Sequence, residues 1–202
     1  MNAPTLPDMH FDTLFRADAD PWRTRTRWYE ARKRALTLAS LPDKRYRRAF
    51  EPGCGAGELT AALSGRCERV VASDASAAAI RAARERLAAV SNATVVQARM
   101  PHDWPDDDFD LIVVSELGYY LADDQLQAMA AACKTSLGSA ATLVACHWRR
   151  RAGDMRLSAE DVHRTLHADS GLHASAHYED ADLLLDVWTS DPRSVAQREG
   201  LA

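Results

Sequence analysis

The amino-acid sequence predicts an α/β fold: a seven-stranded, mostly parallel sheet with helices on both faces and an antiparallel edge hairpin strand. Three observations lead there. Apolar runs of strand length alternate with segments of helical spacing through most of the chain. A glycine-rich loop, Gly53-Cys54-Gly55-Ala56-Gly57, joins the first such run to the helix behind it. The last two apolar runs are separated only by the acidic turn Glu179-Asp180-Ala181-Asp182, too short for a crossover and therefore a hairpin.

Taken in order, a polar leader precedes Trp28, Ala31, Ala35, Leu38 and Ala39, whose three- and four-residue steps predict a helix stopped by Pro42. Arg48-Ala49-Phe50-Glu51 reads as the first strand, Glu58 to Ser64 as a helix and Val70 to Ser73 as the second strand. A helix capped by Ser76 runs on to Val90, and its alanine richness carries helical spacing rather than low complexity. Thr94 to Gln97 and the fully apolar Leu111 to Val114 are the next strands, the second with the continuous pattern of a strand buried on both faces. A helix from about Asp124 to Leu137, the strand Thr142 to His147 and a helix from Ser158 to Ala168 follow. His173 to Tyr178 and Leu183 to Trp188 form the hairpin.

The 202 residues suit a single domain, 1–202, with an N-terminal lid or helical segment over 1–42, a cofactor-binding core over 43–150 and a C-terminal helix and hairpin over 151–202. A hydrophobic fraction of 47% with 27% charged residues is that of a globular protein, and no apolar run reaches the ~20 residues of a membrane span. Met1 to Leu14 lacks the basic start and apolar stretch of a secretory signal, so a cytoplasmic location is expected. Cys54, Cys67, Cys133 and Cys146 are scattered, which predicts reduced thiols. The net charge of -4 gives no global attraction to nucleic acid, and the arginine clusters (Arg23, Arg25 and Arg27; Arg45, Arg47 and Arg48; Arg149 to Arg151) read mostly as solvated surface.

Function concentrates at the glycine loop. Its Gly-x-Gly-x-Gly spacing lacks the glycine that a dinucleotide fingerprint requires at Glu58 or Thr60. A carboxylate at Glu51 suits an ammonium group rather than a pyrophosphate, and S-adenosylmethionine carries that ammonium and no phosphate. Asp74 ends the second strand about twenty residues past the first glycine, placed to accept ribose hydroxyls, with a helix cap as its competing role. Ala75 follows it, and Arg99 and Met100 occupy the turn after the third strand, where an adenine would lie.

The motif Glu51-x-Gly-x-Gly-x-Gly57 resembles that of the class I S-adenosylmethionine methyltransferases, which have a Rossmann-like domain. More narrowly, Asp20-Pro21-Trp22-Arg23 with Tyr29-Glu30, Trp104-Pro105 before Phe109 to Glu116, and Tyr119-Tyr120-Leu121 resemble the nodulation protein S type across most of the chain. The resemblance implies S-adenosylmethionine as cofactor, S-adenosylhomocysteine as product, and an amine acceptor, since that group includes an enzyme acting on a deacetylated amino sugar. The chain departs from the nodulation enzyme at His147-Trp148-Arg149 and Val162-His163, where acceptors bind.

The cofactor set is read as Trp22, Tyr29, Glu51, Gly53, Cys54, Gly55, Gly57, Asp74, Ala75, Arg99, Met100 and Ser115. Trp22, Trp28 and Tyr29 are expected to close over it as a lid. Catalysis falls to residues at the ends of the fourth and fifth strands: Glu116 as base or ammonium-orienting group, His147 as the second base candidate, and Tyr120 for stacking or hydroxyl contact. His163 and His167 lie one turn apart without further ligands, so no metal is expected. Ser115-Glu116-Leu117-Gly118-Tyr119 lacks the Asp/Asn-Pro-Pro-Tyr pattern of base-amine methylation, and the partner is read as a small molecule, with neither nucleic acid nor membrane. Methylation of a small hydroxylated metabolite, a non-catalytic cofactor-binding module, an RNA substrate and a nicotinamide-dependent oxidoreductase are the alternatives.

Overall fold

The computed structural model describes residues 6–150, 152–168 and 170–202, so Arg151 and the start of the leader lie outside the described residues. Two helices lead, α1 (Leu6–Ala17) and α2 (Trp28–Ser40). They are followed by β1 (Tyr46–Pro52), α3 (Glu58–Ser64), β2 (Cys67–Asp74), α4 (Ala77–Arg86), β3 (Ala93–Gln97) and β4 (Phe109–Ser115). After a single 3₁₀ turn at Gly118–Tyr120 come α5 (Asp123–Ser136), β5 (Leu137–Trp148), α6 (Ala159–Ala168), β6 (His173–Glu179), β7 (Leu183–Thr189) and the short α7 (Val195–Arg198).

The sheet has seven strands in the order β3-β2-β1-β4-β5-β7-β6. β1 to β5 are parallel, and β7 runs antiparallel to β5. The hairpin supplies the edge pair: β7 is the antiparallel strand and β6 lies outermost. Ile112 and Val114 face one core, with Phe50, Leu143 and Met129, while Leu111 and Val113 face the other, with Val70, Val144 and Leu185. Burial on both faces explains the unbroken apolar run of β4. Strand order reverses between β1 and β4, which opens a crevice at their carboxyl ends.

Helix α1 corrects the reading of a polar leader. Phe11 and Phe15 lie four residues apart on it, and Phe15 packs among Ala56, Ala78, Ala79 and Ala82. Asp12 Oδ1 accepts hydrogen bonds from Ser76 Oγ (2.8 Å) and Ala78 N (3.1 Å), docking α1 on the start of α4. Ser76 also caps α4 itself, accepting from Ala79 N. That helix ends at Arg86, short of Val90, where the buried Leu87 turns the chain. β5 begins at Leu137 rather than Thr142; Gly138-Ser139-Ala140 lacks both alternation and β-branched residues, so sequence hides its first turn of pleat. Among the described residues no helix is long and apolar enough to cross a membrane.

Candidate active site

A cavity of about 700 Å³ opens at the carboxyl ends of β1, β2, β4 and β5 beneath α1 and α2. One wall is the glycine loop. Gly53 and Cys54 both donate backbone N–H bonds to Ser73 O (2.7 and 2.8 Å), tying the loop to the end of β2. Gly55 adopts φ +53°, a left-handed conformation open to glycine at little cost. Gly57 lies outside the cavity as the N-cap of α3. A Cβ there would sit 3.2 Å from the Ala83 methyl, so this glycine serves the packing of α3 on α4.

Asp74 lines the cavity at the end of β2. Its Oδ1 accepts from Ser76 N (2.9 Å), the cap, and its Oδ2 from Gly55 N (3.0 Å), so the carboxylate is aimed along the loop. Glu51 is buried at the cavity floor and accepts from Thr60 Oγ1 at 2.6 Å. Burial pushes its carboxyl up to about 8, against the Thr60 hydrogen bond and with a further push from Asp74. The Cys54 thiol is likewise driven well above its ordinary value, first by burial, so it stays protonated. Ala75, Arg99, Met100 and Ser115 complete this side with Leu117 and Leu121.

The opposite wall is assembled from distant segments. Glu116 holds a left-handed φ of +54° directly after β4, a strained position for a residue with a side chain. Its Oε1 accepts from Lys33 Nζ at 2.7 Å, and its Oε2 from Trp148 N at 3.1 Å and from the Tyr119 hydroxyl. Lys33, buried on α2, also pairs with Glu30 at 2.9 Å. Burial alone would lower the Lys33 ammonium, but Glu116 and Glu30 outweigh it and hold it above the ordinary lysine range. The Tyr119 and Tyr120 phenols are raised by burial and then by nearby carboxylates, and remain neutral donors. Tyr120 lines the cavity and meets Phe11 edge-on at 4.7 Å.

Trp22 and Tyr29 line the cavity as expected, Trp22 packing against Phe15 at 5.4 Å, whereas Trp28 is 78% exposed and takes no part. His147 corrects its proposed role: it is fully buried, lies outside the cavity and is held far below the imidazole range by burial, His163 and Lys33. It cannot take a proton from an acceptor. Phe11, Phe15, Glu30 and Lys33 line the site without having been foreseen. The signal for the last was available in Tyr29 and Lys33, four apart on α2, but the alanine stripe beside them dominated the helical reading.

His163 and His167, adjacent on α6, diverge: His163 turns to His147 and Asp186, and His167 stacks on Trp188. Many arginines of the basic clusters are paired, Arg25 with Glu58, Arg48 with Asp107 and Arg149 with Glu160 and Glu179.

Comparison with known proteins fits this geometry. Residues 11–151 match the family model of nodulation protein S. Nodulation protein S of Bradyrhizobium diazoefficiens is 37% identical over 105 residues, 52% of this chain and 50% of that protein. The chain spans about half the length of the curated relatives it matches. Among solved structures, a candidate methyltransferase from Pseudomonas syringae is 48% identical, with TM-score 0.73, over 81% of this chain and 99% of that one. The N-methyltransferase NodS of Bradyrhizobium japonicum in complex with S-adenosylhomocysteine is 26% identical, with TM-score 0.77, over 92% and 98%.

Proposed function

The chain belongs to the nodulation protein S family, and from that premise we propose that it is an S-adenosylmethionine-dependent methyltransferase acting on a small polar amine, an amino sugar being the acceptor that the sequence resemblance implies. The cavity's chemistry suits this cofactor. Asp74, held by two backbone N–H groups, lines the cavity as an acceptor suited to ribose hydroxyls. Glu51 is a buried carboxyl that ionises readily once an ammonium approaches, as the methionine end of the cofactor brings. Met100, Leu117 and Leu121 offer an apolar slot for the adenine.

When bound, S-adenosylmethionine supplies a methyl group already activated on a sulfonium, so the chain's work is alignment, exclusion of water and management of one proton. The observation that carries the amine reading is the Glu30, Lys33 and Glu116 cluster. Two carboxylates face one ammonium, leaving an excess of one negative charge on the wall where an acceptor would sit. Glu116 Oε1 spends one lone pair on Lys33 and retains another for an acceptor N–H. Lys33, Tyr119 and Trp148 N hold that carboxylate in place, so Glu116 orients an amine more than it abstracts from it. Phe11, Phe15 and Trp22 close the cavity from above and exclude water.

The test is a screen of amino sugars, small amines and phenols for S-adenosylhomocysteine production. Turnover of amines above hydroxylated compounds is expected; preference for hydroxyls would make this an O-methyltransferase, and cofactor binding without any turnover would leave a binding module.

A further inference from the structure

Behind the acceptor wall lies a buried cluster that methyl transfer does not use. His163 Nδ1 lies 2.6 Å from Asp186 Oδ2, His163 Nε2 lies 3.0 Å from His147 Nδ1, and Gly118 N–H donates to His147 Nε2 at 3.3 Å. Both rings are buried. The proton inventory of this chain has one solution with both imidazoles neutral. Gly118 N–H can only donate, so His147 Nε2 is an acceptor and its proton sits on Nδ1. That proton goes to His163 Nε2, which leaves the His163 proton on Nδ1, facing the Asp186 carboxylate.

The turn at the end of this chain is gripped a second way. A Cβ on Gly118 would lie 2.4 Å from Val162 Cγ1, so glycine allows the turn to press onto α6. The Tyr119 ring meets His147 edge-on at 5.1 Å, and Tyr119 O accepts from Arg156 N and Leu157 N at 2.7 and 3.1 Å.

We propose that His147 and His163 are positioning residues: a relay anchored on Asp186 that fixes the Gly118–Tyr120 turn and thereby sets the Tyr119 hydroxyl on Glu116. This rests on reading that wall as the acceptor site. The titratable and charged groups around the pair include Asp186 on β7, His177 and Glu179 on β6, Glu160 and His167 on α6, Tyr119 and Glu116 beyond β4, and Lys33 on α2. Burial holds His147 well below the ordinary imidazole range.

Long-range proton–nitrogen NMR of the full chain between pH 6 and 8 tests the relay directly. Nδ1–H tautomers at both His147 and His163, with His147 not titrating, are expected; Nε2–H at His147 overturns the proposal. In His147→Leu, exchange of the Gly118 amide should quicken about tenfold or more, with partial rescue in His147→Gln, which keeps an acceptor near the Nε2 position. Affinity for S-adenosylhomocysteine should stay within about threefold, as the relay does not reach the adenosyl side. Unchanged Gly118 exchange in the leucine variant overturns the proposal, and should that variant not fold, the wild-type tautomers decide. Failure of the wild type to bind S-adenosylhomocysteine would strike the methyltransferase reading while leaving both NMR results as tests of the relay.

Discussion

The wall around the glycine loop is made by residues 51–56 and 74–75, near one another in sequence and tied by backbone hydrogen bonds, whereas the facing wall draws Lys33 from α2, Glu116 and Tyr119 from beyond β4 and Trp148 from β5. The first is shaped by backbone conformation and one aimed carboxylate. The second is held by side-chain bonds among groups that bury charge. On the proposed reading, a cofactor common to many enzymes would be met by local geometry, and an acceptor particular to this one by long-range assembly. Substitutions on the two walls should therefore separate binding from turnover.

The largest effect is expected from Gly55→Val, which forces a β-branched residue into φ +53° and projects it toward Phe15. Affinity for S-adenosylhomocysteine should fall by about 10³-fold or more in calorimetry, the strain and the lost space acting together. Normal binding would mean the loop is not the cofactor wall. Next, Glu116→Gln should lower turnover by about 10² while leaving cofactor affinity within a few-fold, since it removes charge from the acceptor wall alone. Equal losses in both quantities would erase the distinction between the walls. The same variant leaves Lys33 with Glu30 as its remaining carboxylate, so a lower melting temperature should accompany it.

Asp74→Ala should weaken the cofactor by about 1–3 kcal/mol, the scale of a charge-assisted hydrogen bond, with turnover at saturating cofactor nearly kept. Unchanged affinity would remove Asp74 from the ribose site. The smallest effect is a pH dependence. Burial raises the Glu51 carboxyl to about 8 in the free protein, and it should lose its proton to solvent when an ammonium binds beside it. Affinity should then rise by up to about tenfold per pH unit from pH 6 and level off above that value, a slope that Glu51→Gln abolishes. Stability of the free protein carries the opposite sign. A raised folded value favours the protonated folded form, so this contribution is present below the ordinary glutamate range and is lost as pH rises through about 8. Thermal melting at pH 6 and 9 checks it, with a smaller decline expected in Glu51→Gln.

The same contrast explains what sequence alone could reveal. Glu51, the glycines and Asp74 announce themselves because a turn and a strand end are local, and the strand-helix alternation followed by a hairpin carried the fold class for the same reason. Helix α1 was hidden by Pro7, Asp8 and Asp12, yet Asp12 is a docking group for α4 rather than a solvated charge. Lys33 reads as an ordinary surface lysine until α2 is laid over β4, which brings it to Glu116 across 83 residues of chain. His147 stands at the right strand end for a base, but β5 sends alternate side chains to opposite faces and α6 covers the face it occupies.

The most direct measurement is a calorimetric titration of S-adenosylhomocysteine into the full chain, with a reduced nicotinamide dinucleotide as control. Binding of the first at one site per chain, lost in Gly55→Val and without a counterpart for the second, is the expected result. No heat from S-adenosylhomocysteine, or equal binding of the dinucleotide, would contradict the assignment of this cavity to a methyl donor.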